Sequence, residues 1–137
     1  MSGIPEHRVG TELPPLDVPL DRTTIAATAI ASQDFEDVHH DPSKAQQRGT
    51  PDIFMSINAT NGFLNRYVTD WAGPHARILR TGLRLGVPAF PGDVLRFTGE
   101  VTDIADGRTT LKIKGANERG VHVSAEMVLT CSEGAQR

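Results

Sequence analysis

A chain of 137 residues with 38% hydrophobic and 23% charged side chains is long enough to bury one core and too apolar for wholesale disorder. Its net charge of −3 offers no global field for nucleic acid, and no apolar run approaches the roughly 20 residues that span a bilayer. One cysteine, Cys131, excludes an internal disulfide and a cysteine metal cluster, and a start without a basic-then-apolar stretch predicts no secretory signal, so the cytoplasm is the expected compartment.

Pro5, Pro14, Pro15 and Pro19 predict an extended arm over residues 1–20, because proline fixes φ and removes a donor. Residues 21–137 then read as a single domain with no linker and no internal repeat. Residues 22–32, rich in Thr, Ile and Ala, read as a strand. Residues 34–41 are a polar loop holding His39 and His40. Asp41-Pro42 looks like an N-cap followed by proline at the first helical position, opening a short helix that stops at Gly49. A longer helix is predicted over about 52–71, since Ile53, Ile57, Thr60, Leu64, Val68 and Trp71 recur at three- and four-residue steps. A second stripe carries Phe54, Asn58, Asn61 and Asn65, and Gly73-Pro74 ends the element.

The remaining residues alternate apolar and polar as strands do. Leu79, Leu83, Leu85 and Val87 form one row, Leu95, Phe97 and Val101 another, and Leu111 with Ile113 a third. Val121, Val123, Ala125, Met127, Leu129 and Cys131 make the longest. Asp106-Gly107 marks a hairpin, and residues 117–120 mark a second turn. An amphipathic helix and a one-sided sheet bury each other only by packing together. The expected fold class is therefore α+β, with an antiparallel sheet wrapped around one long central helix.

Chemistry concentrates in the run Ala31-Ser32-Gln33-Asp34-Phe35-Glu36-Asp37-Val38-His39-His40-Asp41. A carboxylate and an imidazole on one loop can take a proton from water and deliver one to carbon. Taken alone, the same pair also serves as a cap and a solvated side chain. Consecutive His40 and Asp41 rarely converge on one ion, so no metal is expected.

That run, with Ala45 and Gly49 after it, resembles the Ser-Gly-Asp-x-Asn-Pro-aliphatic-His signature of MaoC-like, R-specific enoyl-CoA hydratases. Residues 86–93 leading into Gly99-Glu100-Val101 resemble the strand pair of the same family, and the likeness covers roughly residues 21–131. It implies a hot-dog fold, with Asp34 as the base toward water and His39 as the group that orients water and shuttles the proton. Backbone N–H groups would stabilise the thioester oxyanion, with Phe54 at the positive end of the long helix as the expected donor. Asn58, with Asn61 and Asn65, is either the wetter face of the helix or, in a wrapped hot-dog helix, buried and hydrogen-bonded or in contact with substrate or a partner. Arg80 and Arg84, on one strand face, would either grip coenzyme A phosphates or form a solvated face. Coenzyme A enters only as part of the substrate, without a further cofactor. Three departures stand out. Gln33 replaces a glycine, Glu36-Asp37 replace Asn-Pro, and Ile53-Phe54 stand where the family has His-Gly.

His39-His40-Asp41, Asp52-Ile53-Phe54, residues 66–74 and residues 82–88 look closer still to the small MaoC subunits of actinobacterial steroid side-chain hydratases. That likeness implies a bulky enoyl-CoA substrate and a second, larger MaoC-like subunit in a heterodimer or heterotetramer; a homodimer is the alternative. A hot-dog thioesterase and a non-catalytic acyl-binding subunit are the rival functions.

Overall fold

The computed structural model describes residues 4–131; residues 1–3 of the expected arm and 132–137 of the expected domain lie outside them. Five antiparallel strands form one sheet in the order β1-β3-β4-β5-β2. They are β1 (Glu12–Pro19), β2 (Ala76–Leu85), β3 (Val94–Ala105), β4 (Arg108–Asn117) and β5 (Gly120–Cys131). Alternation decides the faces: Leu111 and Ile113 of β4 are buried while Lys112 and Lys114 are exposed. The apolar face closes on helix α3 (Ile57–Ala72), whose Leu64, Val68 and Ala72 share one buried core with Phe97, Leu111 and Met127. This is the expected α+β hot-dog architecture. The β3–β4 hairpin turns through Asp106 (φ 54°) and Gly107 (φ 74°), both left-handed, as a two-residue primed turn requires.

The structure corrects three expectations. Residues 22–31 are not a strand but helix α1 (Arg22–Ala31). Asp21 caps it by accepting the Thr24 N–H at 2.7 Å, and Thr28 turns its hydroxyl inward to Thr24 O at 2.7 Å, so the threonines fit a helix. Ile25 and Ala29, four residues apart, supply its buried face.

The expected arm is not separate from the domain: residues 12–19 are edge strand β1, hydrogen-bonded to β3, and Pro14-Pro15 sit at a register shift between Leu13 and Leu16. An edge position with a bulge is where a strand tolerates proline.

The long helix starts at Ile57 rather than near 52, because Ser56 takes the N-cap and its Oγ accepts the Ala59 N–H at 3.2 Å. Ile57, expected on the core face, is exposed, whereas Ile53 is buried from the extended stretch before the helix. The short helix α2 (Pro42–Gln47) forms as expected, capped by Asp41.

Candidate active site

Asp34 is delivered by the end of α1. Ser32 caps the helix and Gln33 turns left-handed at φ 62°. Two bonds close the turn, from Gln33 N–H to Ile30 O at 2.9 Å and from Asp34 N–H to Ala29 O at 2.8 Å. This pair is a Schellman motif, in which glycine is the usual left-handed residue. The Asp34 side chain thus leaves a fixed helix end, not a free loop.

His39 closes a single 3-10 turn over Asp37–His39. Two bonds tie that turn to the stretch before α3: Phe54 N–H donates to Val38 O at 3.1 Å, and His39 Nδ1 donates to Phe54 O at 2.7 Å. The Phe54 ring stands edge-on to the imidazole, with centroids 5.0 Å apart. A carbonyl only accepts, so Nδ1 carries the proton and Nε2 faces Asp34. Nε2 lies 3.6 Å from Asp34 Oδ2, and the two side chains are 10% and 18% exposed. The gap is too long for a direct hydrogen bond, and a water seated against both groups would bridge it.

A largely apolar cavity of about 340 Å3 opens between α1 and α3, lined by Ala31, Ser32, Asn58, Ala59, Gly62 and Phe63 among others. The end of α1 therefore contributes both to this cavity and, two residues later, to the dyad. At the start of α3, Thr60 N–H reaches Ser56 O and Ala59 N–H reaches Ser56 Oγ. The N–H groups of Ile57 and Asn58, in the first helical turn, have no helical carbonyl to meet.

The sequence-predicted residues divide. Asp34 and His39 come together, and Asn58 lines the adjacent cavity. Phe54 is a correction: its N–H is already bound to Val38 and lies ahead of the helix, so it is not the oxyanion donor, and its carbonyl instead orients His39. Arg80 and Arg84 project from β2 on the face shared with Glu126 and Ser124, opposite the buried residues that pack on α3. Arg80 pairs there with Glu126 at 3.3 Å. They are not brought to the dyad. His40 Nε2 donates to Phe35 O at 3.2 Å. Among the described residues no three His, Cys, Asp or Glu side chains cluster as metal ligands.

The cavity is hidden in the sequence when Thr28, Ala31 and Ser32 are read as a strand. Arg48, which meets Asp37 two residues before His39, is equally hidden. A cap residue at Asp21 was the signal for the former; a contact between charges on separate elements has no periodic signal.

The MaoC-like domain model matches residues 6–123. The beta subunit of 3-oxo-4,17-pregnadiene-20-carboxyl-CoA hydratase from Mycobacterium tuberculosis is 50% identical over 122 residues, 89% of this chain and 95% of that protein. The ChsH1-ChsH2 complex from Mycobacterium tuberculosis contains a chain that superposes with a TM-score of 0.90 at 48% identity, over 92% of this chain and 99% of that one. The (R)-hydratase of A. caviae involved in PHA biosynthesis has a TM-score of 0.84 at 22% identity, over 93% and 98%; at that identity the likeness is one of fold. Matched along most of its length by the domain model and by a relative at half identity, the chain belongs to the MaoC-like dehydratase family.

Proposed function

We propose that this chain is the dyad-bearing subunit of an enoyl-CoA hydratase that acts on a steroid side-chain CoA ester and pairs with a second, larger MaoC-like subunit. The observation that carries the reading is the 3.6 Å gap between His39 Nε2 and Asp34 Oδ2, with Ser32, two residues before Asp34, lining an apolar cavity. The identity and the two-way coverage shared with the Mycobacterium tuberculosis beta subunit support the substrate class and the partner.

In this mechanism a water held by both groups attacks Cβ of the unsaturated thioester. Asp34 accepts a proton from that water, while His39, held by the Phe54 carbonyl, orients the water by accepting a hydrogen bond at Nε2. Nε2 then takes the proton from Asp34 and passes it to Cα, leaving both groups as they began. The π bond breaks, one C–O and one C–H bond form, and the thioester oxygen carries the transient negative charge. The free N–H groups of Ile57 and Asn58, at the positive end of α3, are the donors for that oxygen. Water and its proton balance the addition, so coenzyme A takes part only as the substrate's carrier. The compartment in this reading is the cytoplasm, where a thiol such as that of Cys131 stays reduced.

Incubating the assembled complex with an α,β-unsaturated steroid side-chain CoA ester and with its saturated analogue tests the assignment. The unsaturated ester should gain the mass of one water without thiol release, and the saturated one should stay unchanged. Free coenzyme A from both would make the protein a thioesterase instead.

A further inference from the structure

Asp37 and Arg48 bracket the segment that presents His39. Asp37 is the first residue of the 3-10 turn that ends in His39, and Arg48 is the C-cap of α2. Arg48 Nε lies 2.9 Å from Asp37 Oδ1, and Nη2 donates to Oδ2 at 3.2 Å. Oδ1 is buried and accepts no hydrogen bond, so Nε meets it as a charge and Nη2 supplies the pair's hydrogen bond.

A single helical turn does not sustain itself. This one has three backbone bonds of its own: His39 N–H to Glu36 O, and His40 and Asp41 N–H to Asp37 O. Arg48 stands on firmer ground. Its N–H bonds to Lys44 O at 3.1 Å, Asp41 caps the helix through Ser43 and Lys44, and Ala45 is fully buried. We propose that the Asp37–Arg48 ion pair is a clasp that positions His39, closing residues 37–48 into a loop and so fixing the imidazole's distance from Asp34. A pair this open, with side chains 58% and 25% exposed, adds little to global stability. Its consequence is local geometry. Neither residue lines the apolar cavity, so both act through His39.

The inference rests on the hydratase reading, and the test separates the two. In the assembled complex, Arg48→Met lowers kcat about five- to fiftyfold, as expected for a misplaced proton-transfer group, with KM within about twofold and Tm within about 2 °C. Asp37→Pro added to Arg48→Met restores kcat. Glu36 already has φ −59° and ψ 134°, the region favoured before proline. The Asp37 N–H makes no backbone bond, and proline's fixed φ would start the turn without the clasp. The hydrogen-bonded Nδ1–H resonance of His39, readable with or without turnover, broadens in Arg48→Met and sharpens again in the double variant. A wild-type complex that hydrates nothing refutes the hydratase reading and leaves this resonance to decide the clasp. A resonance unchanged in Arg48→Met overturns the clasp, as does a kcat within twofold of wild type or a loss that Asp37→Pro does not restore.

Discussion

The carbonyl of Phe54 settles which nitrogen of His39 is free, and the same logic governs a second histidine. His122 is 2% exposed; its Nδ1 donates to Val87 O at 2.7 Å, so Nε2 accepts the Thr60 hydroxyl at 2.8 Å. Burial pushes its pKa below the ordinary value, partly opposed by the Val87 carbonyl and the charge of Asp93. Between that lowered value and about 6.5, the unfolded chain binds more protons than the folded one, so stability rises with pH across the window and falls on acidification. Denaturant titrations from about pH 5 to pH 8 should show wild type losing stability below about 6.5, and His122→Asn should show a shallower slope. Equal slopes would remove His122 as the cause. Asp34 and His39 were legible in sequence because their spacing belongs to a motif. The role of Phe54 was not, because it turns on where α3 begins, and Ser56 as cap moves that start past it.

Helix α1 shows what local composition hides. Its threonines and isoleucines favour a strand in isolation, yet Asp21 at one end and the Schellman turn at the other specify a helix. At that turn Gln33 occupies a left-handed conformation that costs a side chain on the order of 1 kcal/mol. Gln33→Gly should therefore stabilise the fold by up to about 1 kcal/mol, after the greater unfolded-chain freedom of glycine is counted. Thermal unfolding would register a rise of a few degrees, and a fall would contradict the strain assignment. The strands were legible because alternation with one buried face has no competing reading, and Asp106-Gly107 marked their hairpin. Strand β1 was hidden by its prolines, which an edge strand accepts at a bulge.

At the scale of the whole molecule, β2 is an open edge of the sheet. Leu83 and Leu85, paired with buried Ala125 and Val123, lie on the inner face near that edge, and Leu85 is still 41% exposed. A second hot-dog unit continuing the sheet would pair with this open edge. The cavity between α1 and α3 is open on this chain, and the proposed function assigns turnover to the complex with a second subunit. The most direct test is turnover of that complex with an α,β-unsaturated steroid side-chain CoA ester when this chain carries Asp34→Asn or His39→Ala. Each change should lower kcat by about 10²–10⁴-fold while assembly, read by sedimentation, is unchanged. Full turnover by either variant in an intact complex would contradict the account and leave this chain a scaffold for chemistry done elsewhere.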